Sequence, residues 1–400
     1  MATALQFSPI DEVLAEIAAG RIVIVADDPE RENEADLVAA ASLCTQETIS
    51  FMAVHGRGLI CAPITVERAE KLELPQMTRR NREGHKTAFT ISVDAATGIT
   101  TGISAADRAR CIRLLADASA TADDFVQPGH VFPLQAMPSG TLRRAGHTEA
   151  AIDLARLSGQ PAAGVICEIM NDDGTMARVG ELGTFQEKHG LKACTIAQLI
   201  EWRRRSEKLV VREETIKLPT DHGDFDCHLY RIETDGTHHL ALSRGEIDRD
   251  TPTLVRVHSE CLTGDVFQSK RCDCGGQLDA ALEHISKDGG VLLYLRQEGR
   301  GIGLAAKIHA YKLQEQGLDT IEANERLGFS ADLRDYGMGA QILQDLGLGK
   351  IRLLTNNPKK VVGLEGYGLE IVEQLPIRQP SNPHNEHYLN TKRDRMGHAL

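Results

Sequence analysis

Aromatic side chains are scarce in this 400-residue chain: Phe, Trp and Tyr make up only 4% of it, and tryptophan occurs once. Proteins that bind single-stranded nucleic acid commonly stack bases on aromatic rings, so this scarcity argues against such a surface. Basic charge is also in the minority, since the net charge is −12. That balance argues against general binding to nucleic acid. Anionic ligands must therefore be bound by local Arg and Lys side chains and by backbone N–H groups.

Long hydrophobic runs are missing as well. No stretch approaches the length of a membrane span, and the first residues show no basic segment followed by an apolar one, which would indicate a signal peptide. The chain has nine cysteines, an odd number without a secretory signal, which indicates reduced thiols and metal ligands. We therefore expect a cytoplasmic protein that binds neither membranes nor nucleic acid.

The length predicts two domains of about 200 residues each, because a single core rarely grows so large. Continuous apolar runs, typical of buried strands, occur at 21–26, 164–169 and 291–295. Helical patterns such as 149–157 lie between them, so both halves are predicted to be layered α/β or α+β structures. The charged stretch 203–208 is interpreted as a linker, which predicts domains at 1–202 and 203–400.

Three cysteines, Cys261, Cys272 and Cys274, lie close together in the sequence. Thiolates bind zinc tetrahedrally, and structural zinc sites have four protein ligands. A fourth cysteine is missing here, which favours a zinc site with an open position for water. We expect the Cys-x-Cys pair to direct both sulfurs to one side of an extended segment. The alternatives are three buried thiols or a closed structural zinc. The candidates for its fourth ligand are His258, His309 and Cys227.

An acidic segment follows the first predicted strand, where residues 27–36 contain six carboxylates. Such crowding is unfavourable unless the carboxylates face water or a cation, and hard oxygen ligands suit Mg²⁺ or Mn²⁺. Composition alone leaves a solvated turn and a metal site equally open. The segment 143–149 favours the metal site. Thr148 is predicted to cap a helix whose free N–H groups, with two arginines, could bind phosphate, and His147 could add a metal ligand.

A second candidate anion site follows the strand that ends at Tyr294. The glycine-rich loop 299–303 leads into a predicted helix, 304–316, with Leu304, Ile308 and Tyr311 on one stripe. A strand, a glycine loop and a helix N-terminus together can bind an anion. The glycine spacing is neither a Walker A motif nor a full dinucleotide fingerprint. A nucleoside triphosphate would therefore be bound differently from the way common GTPases bind it.

The first half resembles the 3,4-dihydroxy-2-butanone 4-phosphate synthase family in the segments 31–34, 101–108 and 144–149. That family converts ribulose 5-phosphate to a four-carbon phosphate and formate, using Mg²⁺. The resemblance implies that Glu32 and His147 bind Mg²⁺ or Mn²⁺. It implies that Glu168 is catalytic, with His130 and Cys61 in lesser roles. The implied contacts of the sugar phosphate are Arg31, Glu32, Asp36, Arg144, Ala145, Gly146, His147, Thr148 and Glu168.

Two positions depart from that family. Ala35 and Gln135 stand where the family usually has Gly and Arg, and Ala disfavours the positive φ that Gly adopts readily. An alternative is therefore that the first half is a scaffold and only the second half is active.

The second half resembles the GTP cyclohydrolase II family in the segments 256–261, 296–303, 327–329, 356–360 and 385–389. The resemblance implies one zinc ion on Cys261, Cys272 and Cys274, and hydrolysis of GTP with release of formate and pyrophosphate. It implies Asp332 as general base, Arg334 as nucleophile toward the α-phosphate and Tyr311 near the reacting phosphate. Mg²⁺ would accompany the triphosphate. The implied GTP contacts are Arg256, Val257, His258, Ser259, Glu260, Gln277, Glu298, Gly299, Arg300, Thr320, Thr355 and Lys360.

Together the two resemblances imply a two-headed enzyme that starts both branches toward the flavin ring. Both families usually form homodimers, so we expect a homodimer. A different alternative is a GTP-sensing protein with a structural zinc, which would need a fourth protein ligand and no turnover.

Overall fold

The computed structural model of the chain describes residues 4–28, 31–84, 86–329, 337–357, 364, 367–386 and 393. Within it the chain forms two compact units, Met1–Arg203 and Arg204–Leu400. Each unit contains one seven-stranded sheet with helices packed against it. This confirms the prediction that both halves are layered structures of helices and strands. Among the helices of the described ranges, none is both long and apolar enough to cross a membrane.

The first unit has its strands in the order β4-β5-β3-β6-β2-β1-β7. Their bounds are β1 Val23–Ala26, β2 Ala35–Ala40, β3 Cys61–Ile64, β4 Val93–Ala95, β5 Phe125–Gln135, β6 Gly164–Glu168 and β7 Ala193–Thr195. The helices are α1 Ile10–Ala18, α2 Gln46–Phe51, α3 Val66–Lys71, α4 Ala105–Ala116, α5 His147–Leu157, α6 Gly183–His189 and α7 Ile196–Ser206.

Strand β1 shows why a continuous apolar run becomes a strand in this unit. Ile24 and Ala26 belong to the core on one face of the sheet, and Val23 and Val25 belong to the core on the other face. All four are fully buried. Because both faces are covered, every position of the strand must be apolar.

The acidic segment is the turn between two antiparallel strands. Ala26 of β1 pairs with Ala35 of β2, so the chain reverses direction between these two residues at one end of the sheet. Asp36 of β2 pairs with Glu168 of β6. The loop and Glu168 therefore lie at the same end.

The second unit has its strands in the order β14-β13-β11-β12-β10-β9-β8. Their bounds are β8 Val210–Thr220, β9 Gly223–Ile232, β10 His238–Arg244, β11 Thr253–Ser259, β12 Gly290–Leu295, β13 Lys350–Leu354 and β14 Glu370–Leu375. The helices are α8 Leu262–Asp265, α9 Cys274–Asp288, α10 Gly303–Gln314, α11 Thr320–Arg326 and α12 Gly337–Asp345.

The parallel strands β11 and β12 position the predicted metal and anion sites. Ser259 and Leu295, the last residues of the two strands, pair with each other. The chain leaves β11 toward Cys261 and leaves β12 toward Glu298, so the two segments emerge side by side. Ligand sites in sheets of this kind usually lie beyond the carboxyl ends of parallel strands.

Helix α5 starts earlier than predicted. It begins at His147, and Gly146 occupies the N-cap position with extended backbone angles of φ −124° and ψ 161°. Thr148 therefore lies within the first turn, and the prediction that it caps the helix is wrong.

Helix α10 exposes two apolar residues of the stripe noted in the sequence. Leu304 and Ile308 are 41% and 47% exposed. The buried residues of the helix are Lys307 and Ala310.

Helix α7 runs through Ser206, so residues 203–206 of the predicted linker 203–208 are helical. Arg203 is 4% exposed, and its guanidinium donates to Asp153 Oδ2 at 2.7 Å and to the Ser139 carbonyl at 2.8 Å. Asp153 also accepts hydrogen bonds from the backbone N–H and the hydroxyl of Thr141, at 2.7 and 2.6 Å. This buried network ties the end of α7 to α5 and to the loop that precedes α5.

Replacing Arg203 with Met should therefore destabilise the first unit. The change leaves the Asp153 carboxylate buried without its cation, and breaking a buried pair in this way typically costs about 3–5 kcal/mol of the free energy of unfolding. The only tryptophan of the chain, Trp202, lies in α7. Its fluorescence during urea unfolding should report this unit directly.

Arg156→Met is the matched control. Arg156 approaches the same carboxylate at 3.9 Å, but its side chain is 43% exposed, so its loss should cost less than about 1 kcal/mol. Equal effects of the two substitutions would contradict the assignment of the network.

Candidate active sites

Asp27 organises the acidic loop of the first unit. Its buried carboxylate accepts hydrogen bonds from the backbone N–H groups of Glu32 and Glu34, at 3.2 and 3.0 Å, and from the Arg31 guanidinium at 2.9 Å. Arg31 also pairs with the Glu32 carboxylate at 2.9 Å. One buried carboxylate thus fixes the backbone of the loop, while the Glu32 side chain stays 25% exposed.

Ala35 does not need the backbone conformation that glycine favours. It lies in β2, pairs with Ala26 and is fully buried. The left-handed residue of the loop is Asn33, with a φ of 55°, and Asn tolerates that region better than most residues do. The concern that Ala35 would distort the loop is therefore wrong. Gln135 ends β5, where its side-chain carbonyl accepts a hydrogen bond from Gln76.

His147 is placed as a metal ligand would be. Its ring is buried, and its Nδ1 lies 3.8 Å from Asp36 Oδ1. Its Nε2 is buried without a hydrogen-bond partner. Metal-bound histidines usually bond a carbonyl or carboxylate through their other nitrogen. Burial also lowers the pKa of His147, which favours the neutral imidazole that metals bind.

Asp36 and Glu168 face each other across β2 and β6. Burial raises the pKa of Asp36 well above its usual range, and the charges of Glu168 and Glu32 raise it further. Glu168 accepts a hydrogen bond from the backbone N–H of Leu59 at 2.8 Å. Burial and these carboxylates also raise the pKa of Cys61, so its thiol stays protonated. The excess of negative charge at this end of the sheet suits a divalent cation.

The predicted phosphate site lies at the start of α5. Arg144 donates to the buried Glu149 carboxylate at 2.7 Å, and Glu149 also accepts from the backbone N–H of Met137 at 3.0 Å. The same segment contains Ala145, Gly146 and Thr148. The structure therefore joins an oriented guanidinium to the free N–H groups of a helix N-terminus, which together can bind a phosphate.

His130 is not joined to this group. It lies on β5, and its Nδ1 is 2.7 Å from Asp94 Oδ2 on the outer strand β4. Phe132 and Ile166 both pair with Cys61 of β3, so His130 lies toward the same end of the sheet as Glu168 but with a strand between them.

Three sulfurs converge in the second unit. Those of Cys261, Cys272 and Cys274 lie within 4.8 Å of one another, and the Cys261 and Cys272 sulfurs are 3.7 Å apart. Zn–S bonds of about 2.3 Å in tetrahedral geometry imply sulfurs about 3.8 Å apart. In the part of the chain that the structure describes, no fourth His, Cys, Asp or Glu ligand belongs to this group. His258, His309 and Cys227 therefore do not complete it.

The Cys-x-Cys pair is not extended as predicted. Cys272 lies in a bend and Cys274 is the first residue of α9, so a turn into a helix directs both sulfurs to one point. Gly264 packs directly against the group. A Cβ atom added there would lie 3.0 Å from the Cys272 sulfur and 3.1 Å from the Cys261 sulfur.

The ionisation of the three thiols fits a cation. Hydrogen bonds from the two other thiols, and further the Lys307 ammonium, lower the pKa of Cys261. The hydrogen bond between Cys272 and Cys261 raises the pKa of Cys272 to about 11. Hydrogen bonds with Cys261 and Cys272 raise the pKa of Cys274 well above its usual range. One thiol gives up its proton readily, and three thiolates together require a metal ion.

Asp265 contacts the backbone of the sulfur group. Its carboxylate accepts hydrogen bonds from the Cys261 backbone N–H at 2.9 Å and from the Tyr294 hydroxyl at 2.8 Å. It also lies 3.1 Å from His258 Nε2. His258 Nε2 is thereby paired with a carboxylate. Supporting partners of this kind fix the orientation of metal ligands.

Tyr311 lies beside the sulfurs. Its hydroxyl is 3.3 Å from that of Thr263, which in turn lies 3.8 Å from the Cys261 sulfur. The Arg271 guanidinium lies over the ring, 5.2 Å from its centroid. The aromatic residue predicted to lie near the reacting phosphate is therefore close to the metal group.

Several of the residues predicted to contact GTP lie on β11 or just beyond the ends of β11 and β12. Arg256 is buried and donates to the Gln277 side chain at 2.6 Å and to the Leu354 carbonyl at 2.9 Å. Thr355 is buried and accepts a hydrogen bond from the Asn357 backbone. Buried or half-buried residues along the two strand ends are Val257, His258, Ser259, Glu260, Glu298 and Gly299. Asp332, Arg334 and Lys360, and the side chains of Arg300 and Thr320, lie outside the described residues.

Three supporting residues were not predicted from the sequence. Asp27 is one of six carboxylates in its segment, and nothing in the sequence distinguishes it. Asp265 and Lys307 act through contacts with segments elsewhere in the chain. Only the position of Asp265, four residues after Cys261, could have drawn attention to it.

Comparisons with known proteins match each half of the chain to a protein family. Residues 11–202 match the sequence model of the 3,4-dihydroxy-2-butanone 4-phosphate synthase family, and residues 211–376 match that of the GTP cyclohydrolase II family. The riboflavin biosynthesis protein RibBA of Chlorobium phaeovibrioides is 56% identical over 98% of this chain and 96% of its own length. That of Aquifex aeolicus is 57% identical over 99% of this chain and 98% of its own. The chain belongs to the RibBA family.

This RibBA family member is therefore a bifunctional enzyme of riboflavin biosynthesis, with 3,4-dihydroxy-2-butanone 4-phosphate synthase and GTP cyclohydrolase II activities, which confirms both resemblances. Its fold is similar to the crystal structure of RibBX from A. baumannii, a two-domain 3,4-dihydroxy-2-butanone 4-phosphate synthase. That protein is 40% identical, covers 93% of this chain and 100% of its own, and has a TM-score of 0.69. A 3,4-dihydroxy-2-butanone 4-phosphate synthase crystallised with two magnesium ions is 45% identical over 50% of this chain and 98% of its own, with a TM-score of 0.49.

Replacing Gly264 with Ala should weaken metal binding at the sulfur group. The added methyl would press on two sulfurs and move them away from tetrahedral spacing. We expect zinc affinity to fall by about tenfold or more, as for other changes next to metal ligands. Chelator competition would measure the change. Gly180→Ala is the control, because a Cβ there would meet nothing within 4 Å. Unchanged affinity in Gly264→Ala would contradict the packing argument.

Proposed function

We propose that residues 1–202 carry the synthase site and residues 203–400 the cyclohydrolase site. In this proposal the first converts ribulose 5-phosphate to 3,4-dihydroxy-2-butanone 4-phosphate and formate, and the second hydrolyses GTP to a pyrimidine phosphate, formate and pyrophosphate. The observation that carries the cyclohydrolase assignment is the convergence of three sulfurs without a fourth ligand among the described residues. For the synthase it is the buried, unpartnered Nε2 of His147 beside the acidic loop.

In the synthase site, Glu32 and His147 would hold Mg²⁺ or Mn²⁺. The bound ion would supply a Lewis acid that polarises the substrate carbonyl. Arg144 and the N–H groups at the start of α5 would bind the phosphate. Asp36 and Glu168 would exchange protons with the carbon beside the carbonyl, and the raised pKa of Asp36 lets this buried carboxyl hold a proton near neutral pH. His130 would have a lesser role.

In the cyclohydrolase site, Cys261, Cys272 and Cys274 would hold zinc. The bound ion would supply a Lewis acid that activates water for attack on the guanine imidazole ring. The loop from Glu298 to Arg300, with Mg²⁺, would bind the triphosphate. Tyr311 would lie against the reacting phosphate. The family resemblance assigns Asp332 as the base and Arg334 as the nucleophile toward the α-phosphate.

The remaining GTP contacts would form the walls of this pocket. Arg256 and Gln277 are bonded to each other, so they would shape it as a pair. The others, all proposed from the resemblance, are Val257, His258, Ser259, Glu260, Thr320, Thr355 and Lys360. We also propose a homodimer, as is usual in both families. A cytoplasmic location agrees with nine cysteines that are all free.

Formate release from each substrate separately tests the assignment. Glu32→Ala should abolish formate from ribulose 5-phosphate and spare formate from GTP, and Cys272→Ala should do the reverse. Each loss should be about 100-fold or more, because even changes next to metal ligands cost 10–100-fold.

Cys227→Ala is the matched control for the thiol, since Cys227 is also buried but lies in β9 outside the sulfur group. It should leave both reactions intact. Loss of both reactions in either site variant would contradict two separate sites. A Mg²⁺-loaded protein that never forms the four-carbon phosphate would contradict the proposed synthase site.

A further inference from the structure

Helix α10 buries a lysine where an apolar residue would be expected. Lys307 is 8% exposed, whereas Leu304 and Ile308 on the same helix are 41% and 47% exposed. Surface helices normally place their apolar residues toward the protein. Taking an ammonium out of water is costly unless charged partners and hydrogen bonds offset it. The contacts of Lys307 therefore matter more than its place in the sequence.

Two anionic groups meet the Lys307 ammonium. Its Nζ donates to Glu298 Oε1 at 2.8 Å and to the Cys261 sulfur at 3.2 Å. It also lies 5.6 Å from the centroid of the Tyr311 ring. Gly299 leaves room for the lysine stem, because a Cβ added there would lie 3.1 Å from Lys307 Cβ. The ammonium thus touches a proposed zinc ligand and a proposed GTP contact at once.

Glu298 extends the connection. Its Oε2 accepts a hydrogen bond from the Leu262 backbone N–H at 2.7 Å, directly after Cys261, and its Oε1 accepts from the Gly299 N–H at 2.8 Å. The Lys307–Glu298 pair therefore joins the segment that holds the sulfur to the loop that follows β12.

We propose that Lys307 is a positioning residue for the metal centre, which donates a hydrogen bond to the Cys261 thiolate and reduces the charge that this sulfur gives to the metal. The proposal rests on the proposed zinc site. Three thiolates and Zn²⁺ carry a net charge of −1, so an ammonium bonded to one sulfur neutralises the group. A less donating sulfur leaves the metal a stronger Lewis acid, and hydrogen bonds to metal-bound sulfur are a recognised way to tune such centres.

The alternative is that Lys307 only balances the charge of Glu298. Cobalt(II) substitution distinguishes the two, because the sulfur-to-cobalt charge-transfer band reports the electron density on the sulfurs. The test uses the full chain with Lys307→Met and with the double variant Lys307→Met/Glu298→Gln, which leaves no buried carboxylate unpaired. Lys312→Met is the matched control, since Lys312 lies on the same helix with its side chain 73% exposed.

We expect the charge-transfer band to move to lower energy in both Lys307 variants, and zinc affinity to fall by about 10–100-fold in chelator competition. Lys312→Met should match the wild type. A double variant with the wild-type band and wild-type zinc affinity would overturn the role of Lys307 alone. A wild-type protein that shows no sulfur-to-cobalt band would overturn the zinc site itself, and with it this inference. Circular dichroism and formate release from ribulose 5-phosphate verify that each variant is folded.

Discussion

Both sites depend on holding groups of like charge close together inside the protein. In the first unit, carboxylates from the acidic loop, β2 and β6 meet at one end of the sheet, and in the second unit three sulfurs meet beyond β11. Each further negative charge raises the free energy of those already present. Burial raises the pKa of Asp36, hydrogen bonds raise the pKa values of Cys272 and Cys274, and the neighbouring negative charges raise all three further. Protons remain on these groups until a cation replaces them.

The two units offset this repulsion by different means, which suit different metals. In the acidic loop, backbone N–H groups donate to Asp27. The carboxylates of the loop, with the imidazole of His147, would suit a hard cation. The sulfur group uses a buried ammonium on Cys261 and a backbone N–H donated to Asp265. Thiolates suit zinc. The chemistry of each site therefore follows from which groups the fold can bring to a strand end.

Local patterns could be predicted from the sequence because their physical cause is local. A strand such as β1, covered on both faces, must be apolar at every position, so a continuous apolar run identified it. The sulfur group was identified for the same reason, since its three ligands lie within one short stretch. The remaining site residues were predicted from the two family resemblances. The comparisons confirmed that both families match.

Partnerships between distant segments could not be predicted in this way. The charged stretch after Trp202 was predicted to be a solvated linker. Arg203 is nevertheless buried, because its guanidinium pairs with Asp153, fifty residues earlier. Helix α10 exposes Leu304 and Ile308 of its apolar stripe and buries Lys307, whose partner Cys261 lies 46 residues earlier. In both cases a charged residue overrides the hydrophobic pattern, and only the fold supplies the partner.

The buried pairs are poor explanations of stability in themselves. Replacing a buried ion pair with well-packed apolar side chains is often neutral or stabilising, because the cost of desolvating two charges is large. The presence of the buried Lys307–Glu298 pair is therefore not explained by stability alone. Apolar side chains could fill the same volume, but they could not bond the Cys261 sulfur and the Leu262 N–H at the same time. What the charges add is orientation at the strand end where Cys261 begins the sulfur group, and the proposed metal centre would require that orientation.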